Sequence, residues 1–505
     1  MTAVPSCEIY GYSIDRLKEL LSTKSEASPR TIEGKLQTRY FQDYFQKIGA
    51  QTIVVENNYI DRDFLEDFAG YYVRCFYKYR RVCTRLHFFS LDFTEGDFNA
   101  MLEGEKGKLT AGLLNDKYLG FIVVKPLPET MIGRTCLVSY PEEGRRFYPV
   151  RRPYTANLVG IPLTVETLAF QEQDTVAAAC ATSALWSAFQ GTGMLFHHPI
   201  LSPVEITRTA TQHWVSQTRA MPNHGLLLPQ MVHAMKQVGL EPLMIGATDL
   251  GILRSTLYGY LRGGVPVLLL VNLYDAGDKS NHYHAIAATG FSLGGALAPA
   301  GGTFKLKADR IDKLYAHDDG VGPFSRLSFA GKSHLSSSWK LSGPVEVHPL
   351  YMLIPLYHKI RIPFEAIFNI VRCFDAFLRT LALAPHHALP IDLEWDVCLS
   401  SVNAFRTDIL AATELSGPVR RDIVQQPLPR FLWRATGRQG NDRAIELVFD
   451  ATDIEGGHVF LRAVEYDGKL CGVLRGLAKT MTIGGLFSTH PDWASLEPII
   501  AGFQK

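Results

Sequence analysis

One cysteine in the chain stands where a thiol could do chemistry. Cys180 follows the run Gln173-Asp174-Thr175-Val176-Ala177-Ala178-Ala179 and opens an alanine-rich stretch, Ala181 to Phe189, that reads as a helix. A thiol at a helix N-terminus faces the positive end of the macrodipole and N–H groups without partners, which favour the thiolate. The backbone N–H of Cys180 can help bind an oxyanion, and Gln173, a turn or so upstream, offers a second, side-chain donor. Further on, Asn281-His282-Tyr283-His284-Ala285-Ile286-Ala287-Ala288-Thr289-Gly290-Phe291 puts a histidine at the start of an apolar, small-residue strand. A helix start facing a strand end lets a base reach the thiol proton. His282 would share the face of His284, because strand side chains alternate; His284 is preferred because the apolar strand starts there. Later, Leu314-Tyr315-Ala316-His317-Asp318-Asp319-Gly320 ends a strand in two carboxylates, one of which could orient the imidazole. The same Asp-Asp-Gly triplet also suits a plain turn.

These residues need a scaffold, and the hydrophobic patterning supplies an α+β one. In the first part, Ser13–Leu21 and Leu36–Ile48 read as helices, Gln51–Val55 as a strand, Asp61–Arg81 as a long helix, and Tyr118–Val124 and Thr135–Tyr140 as strands. In the middle, the Cys180 helix is expected to stop at Gly191-Thr192-Gly193. Ser202-Pro203-Val204-Glu205 forms a capping box with proline at the first helical position. Helices over Leu228–Val238 and Asp249–Arg262 precede strands at Val265–Leu273, Tyr283–Phe291, Thr303–Lys307 and Lys313–His317, so a sheet should pack on a helical layer. The last part opens with an amphipathic helix, Pro363–Leu383, with Phe364, Ile367, Phe368, Val371, Phe374, Leu378 and Leu381 on one face. After a break at Pro385–Pro390, strands follow at Arg430–Arg434, Ala444–Phe449 and His458–Tyr466. Three regions are expected: 1–159, 160–358 and 359–505.

The stretch from Gln173 to Phe324 resembles papain-like cysteine peptidases of the bacteriocin-leader-processing (double-glycine) type. The resemblance rests on the glutamine before Cys180, the alanine-rich helix after it, the Gly264-Val265-Pro266-Val267 strand, the His284-Ala285-Ile286-Ala287-Ala288-Thr289-Gly290 strand and the Asp318-Asp319-Gly320 turn, in the order Cys, His, Asp. It implies a papain-like domain over 160–358, a helical layer on an antiparallel sheet. Cys180 would be the nucleophile, His284 the general base and acid, Asp318 the orienting carboxylate and Gln173 the oxyanion side chain. Asp319 and Gln171 stay open as the alternatives for the last two roles.

Composition bounds the other possibilities. At 505 residues, 47% apolar and 20% charged, the chain can bury more than one core. Its 51 basic and 50 acidic residues leave a net charge of +1, so no global field draws it to nucleic acid or an anionic membrane. The longest apolar run, Val265–Val271, falls far short of the ~20 residues that cross a bilayer. No basic region followed by an apolar run marks the N-terminus, so a cytoplasmic location is expected. The eight cysteines form no C-x-x-C pair and no zinc spacing, and no cofactor or metal is expected. Asp450, Asp453, Glu455 and His458 fit no calcium-loop pattern and read as a solvated turn. Arg74, Lys78, Arg80, Arg81 and Arg85, interleaved with aromatics, could contact nucleic acid but suit an amphipathic surface helix better.

The expected activity is hydrolysis of a peptide or isopeptide bond through an acyl-enzyme on Cys180, with a protein or peptide as substrate. Transfer of the acyl group to an amine uses the same thiol, and a catalytically inactive binding or scaffold module is the reading from another class. The flanking regions are large enough to recognise substrate, cover the site or dock a regulatory protein.

Overall fold

The computed structural model describes residues 6–504 apart from 175, 177–178, 213–220, 222–224, 296–302, 330, 332, 383–391, 455–458 and 485–492, with backbone alone at 381–382, 480–484, 493 and 504. Glu455, His458 and the Pro385–Pro390 break therefore lie outside the described residues. Helix starts follow their caps. Ser13 Oγ accepts from Arg16 N–H at 3.1 Å ahead of the helix Ile14–Ser25, and Asp249 Oδ1 accepts from Ile252 N–H at 3.1 Å ahead of Leu250–Arg262. The Ser202/Glu205 capping box starts Pro203–Thr211.

The chain forms two compact units, each assembled from several stretches of sequence. The first comprises Met1–Thr248, Gly264–Ser292 and Lys313–Pro355, and the second Asp249–Gly263, Leu293–Asp312 and Leu356–Lys505. The expected boundary at 159/160 therefore does not separate two cores. One cluster in the first unit joins Leu17, Phe41, Tyr44 and Phe45 to Tyr315, Val321 and Phe324, because Tyr40, Phe41, Tyr44 and Phe45 make one broad aromatic face on the helix Leu36–Ile48.

Within the first unit, Cys7–Gly11, Thr52–Tyr59, Cys83–Phe89, Tyr118–Val124 and Ile132–Leu137 pair in that order as an antiparallel sheet. A second sheet runs Val267–Asp275, Ser280–Leu293, Ile311–Asp318, Gly322–Ser328, Leu335–Lys340 and Pro344–Tyr357. Pro344–Tyr357 pairs back onto Val267–Asp275, Leu268 opposite Leu353, so these six strands close on themselves, with Leu240–Gly246 added beside Pro344–Tyr357. The helix Cys180–Phe196 packs against the strand Val267–Asp275 of this sheet. In the second unit, Lys305–Leu306 pairs parallel with Glu394–Ser401, and Phe431–Gln439, Asp442–Asp450 and Phe460–Glu465 continue antiparallel. Phe364, Ile367, Val371, Phe374 and Leu378 of the helix Phe364–Ala382 are buried, and Phe368 is half-buried. Both units are α+β.

Three elements depart from the sequence reading. The long helix expected over Asp61–Arg81 ends at Gly70, followed by a single 3₁₀ turn, Tyr72–Arg74. Gly70 lies so close to the helix Pro203–Thr211 that a Cβ there would meet Val204 Cγ2 at 2.7 Å, and the backbone leaves the helical region at Tyr71 (φ −139°, ψ −58°). The Cys180 helix runs through Gly191 and Gly193 to Phe196 and is capped by His197 in the left-handed region. Those glycines permit close approach rather than termination: a Cβ on Gly193 would sit 2.6 Å from Ile200 Cγ1. The strand expected at Thr303–Lys307 is reduced to Lys305–Leu306, with a 3₁₀ turn after it. Among the described residues no helix is long and apolar enough to cross a membrane.

Candidate active site

Cys180 is the first residue of the helix Cys180–Phe196, with Ala179 in extended conformation before it. Among the side chains of that helix, Ala181 to Thr192 are all buried, as a helix threaded through a core requires. It is anchored at Trp186, whose Nε1–H donates to Asp63 Oδ2 at 2.9 Å, and the same oxygen accepts from Arg134 Nη2 at 2.7 Å. The Cys180 side chain remains half-buried, between buried Ala179 and Ala181.

His284 lies on the strand Ser280–Leu293 opposite Val271 of its neighbour. Its Nε2 is 2.9 Å from Asp318 Oδ1 and 3.6 Å from Asp319 Oδ1. With Nε2 given to the carboxylate, Nδ1 is the nitrogen left for the thiol. Burial works against a charged imidazole here, but Asp318, Asp319 and a hydrogen bond with Cys180 outweigh it and hold the His284 pKa well above its ordinary value. His282 is exposed and bonded to Ser280 Oγ at 2.8 Å. The structure thus brings Cys180, His284 and Asp318 together and leaves His282 out.

The Asp318 carboxylate is held on every side. Oδ1 also accepts from Gly320 N–H at 3.1 Å, and Oδ2 accepts from Trp339 Nε1–H at 2.7 Å. The Trp339 ring meets the His284 ring edge-on, centroids 5.3 Å apart. Gly320 makes room for that indole, since a Cβ there would lie 2.1 Å from Trp339 Cη2. Asp319, equally buried, has Oδ2 without a hydrogen bond. Its pKa is raised to about 7, because burial and Asp318 outweigh the attraction of His284. Trp339 was invisible to sequence reasoning, since nothing in Ser336-Ser337-Ser338-Trp339-Lys340 marks chemistry.

The adjoining turn has its own frame. His317 is buried and neutral, its pKa pushed down to about 4 by burial. Its Nε2–H donates to the Leu168 carbonyl at 2.9 Å and its Nδ1 accepts from Phe324 N–H at 3.1 Å. The N-terminal region reaches the turn directly: Gln37 Nε2 donates to the Asp319 carbonyl at 2.7 Å, and Tyr40 Oη donates to the Pro323 carbonyl at 2.6 Å. Buried Glu172 pairs with Lys35 and accepts from Ile132 N–H at 3.1 Å, fixing the segment that leads to Cys180.

The two glutamines of that segment differ. Gln173 is exposed, whereas Gln171 is buried and its Nε2 has no hydrogen-bond partner.

No protein-family model matches the sequence, and no curated protein matches it. The chemistry therefore rests on the geometry. His284, Asp318 and Asp319 have donor atoms within 4.8 Å of one another and are a set able to hold a metal ion. Three of the four acceptor sites of the Asp318 carboxylate are, however, already committed, to Nε2 of His284, Gly320 N–H and the Trp339 indole. All eight cysteines are free thiols. Burial pushes Cys136 and Cys471 up to about 12 and also raises Cys7, Cys83 and Cys398. Of the basic run after Arg74, Arg85 is buried and paired with Glu56 at 2.7 Å, and Arg80 pairs with Glu26 at 3.0 Å.

Proposed function

We propose that the chain is a papain-like thiol hydrolase acting on a peptide or isopeptide bond. The observation that carries this reading is the His284 imidazole, held by Asp318 at 2.9 Å and lying beside the thiol of a cysteine that opens a helix. The closed antiparallel sheet meeting the Cys180 helix supports the same fold reading.

In this reading the Cys180 proton passes to Nδ1 of His284, and the thiolate attacks the carbonyl carbon. Asp318 stabilises the imidazolium without taking its proton. Negative charge grows on the carbonyl oxygen, which the Cys180 N–H and the unpartnered Gln171 amide can receive. His284 then gives its proton to the departing amine, leaving a thioester on Cys180. Water, deprotonated by His284, attacks that thioester and releases the acid.

The test is alkylation of the intact protein by iodoacetamide between pH 5 and 9, resolved by site with mass spectrometry, on wild type and His284→Ala. Cys180 should label fastest at neutral pH and lose that lead in the variant. Labelling of Cys180 no faster than Cys75 in wild type rejects the hydrolase reading.

A further inference from the structure

The chemistry above leaves unused a second cluster in the first unit. Lys47 at the end of the helix Leu36–Ile48, Arg146, Lys313 and Arg326 converge on a cleft of about 170 Å³ walled by Tyr140 and Tyr315. Clefts that take drug-sized ligands begin at about 300 Å³, so this one suits a smaller group. Glu143 is the carboxylate among its lining residues. It reaches in from solvent, is 59% exposed, and pairs with Arg146 at 3.0 Å. Among the described residues, Lys47, Lys313 and Arg326 have no ion-pair partner. Lys47 and Arg326 instead lie over the Tyr140 ring, 5.8 Å and 5.3 Å from its centroid.

Such a gathering of like charge costs stability unless something opposes it. The Lys47 pKa records the strain: it is lowered by burial and by Arg326, Arg146 and Lys313, and Asp43 only partly compensates. The cations come from four separate segments of chain that folding holds in place. Tyr315 and Arg326 face each other in register, and Lys313 sits on the same strand as Tyr315. A preorganised cationic cleft receives an anion at little cost in ordering. One carboxylate would neutralise only one of the three unpaired cations. A phosphate group carries about −1.5 to −2 at pH 7 and offers three acceptor oxygens, which match an arginine fork and two ammonium groups.

We infer that this cleft is a binding site for a compact phosphate-bearing anion, with Lys47, Lys313 and Arg326 as its charge partners. The inference is independent of the thiol chemistry. Free phosphate compounds and lipid headgroups share the required group, and two measurements distinguish them.

Sodium pyrophosphate is titrated calorimetrically into the full chain, with sodium chloride at matched ionic strength as control, and sedimentation is measured with phosphatidylcholine vesicles containing phosphatidylinositol bisphosphate. Saturable one-to-one binding of pyrophosphate, weakened at least 10-fold by Arg326→Ala and by Lys47→Ala and unchanged by Arg81→Ala, is the expected result. Vesicle capture that pyrophosphate reverses assigns the site to a headgroup, and pyrophosphate binding without capture assigns it to a free ligand. Because Lys47 is exposed, its variant remains informative if Arg326→Ala does not fold. Absence of saturable binding in both measurements, or equal affinity in Lys47→Ala and wild type, overturns the inference.

Discussion

Trp339 donates its indole N–H to Asp318 at 2.7 Å while the same ring lies edge-on to His284. One side chain therefore both holds the carboxylate that orients the imidazole and walls off the imidazole from water. A hydrogen bond inside such a wall acts in a low dielectric, where its loss is felt more strongly than at the surface.

Trp339→Phe keeps a ring beside His284 but removes the donor. Charge-assisted hydrogen bonds contribute about 1.5–3 kcal/mol, so Cys180 alkylation at neutral pH should slow by about 10-fold or more. The thermal unfolding temperature should fall as well, by the loss of the same hydrogen bond, while the retained ring limits any further packing loss. An unchanged alkylation rate would show that Asp318 needs no help from Trp339.

Asp318→Asn should destabilise the protein in a pH-dependent way. The His284 pKa is raised in the folded state, so its pairing contributes fully below the ordinary imidazole value of about 6.5. That contribution is lost as pH rises through the folded-state value. The gap in urea midpoint between wild type and Asp318→Asn should accordingly be widest near pH 6 and narrow toward pH 9. A constant gap would mean that His284 does not titrate between pH 6 and 9.

Asp319→Asn should have the opposite sign. Its folded-state pKa of about 7 exceeds the ordinary aspartate value of about 3.9, so ionising it disfavours folding above neutrality and less so in acid. The variant should be more stable than wild type at pH 8, and its advantage should shrink as pH falls toward 4. Urea midpoints at the two pH values decide it.

Gln171→Ala and Gln173→Ala separate the two amides. Removing an oxyanion donor costs about 10²–10³-fold, so acylation of Cys180 by p-nitrophenyl acetate should slow by about 10²-fold in Gln171→Ala and stay near wild type in Gln173→Ala. Alkylation by iodoacetamide, which forms no oxyanion, should be unaltered in both. Equal loss in the two reactions would show that Gln171 supports the thiol's position instead.

What the sequence by itself determined is what local chemistry controls. Ser13, Asp249 and the Ser202/Glu205 pair cap helices because each bond spans two or three residues. Cys180 at a helix start and His284 on a strand were legible for the same reason, and the helix Leu36–Ile48 matches its expected span. Tertiary structure alone decided the rest. That Asp318 takes His284, that Trp339 completes the site, and that Gln171 is buried while Gln173 is exposed all depend on how distant segments meet. Gly70 and Gly193 make room for Val204 and Ile200, close approaches set by space-filling rather than by local pattern. The Lys35–Glu172 pair and the four cations of the cleft join segments far apart along the chain, and only close packing of the whole unit brings such charges together.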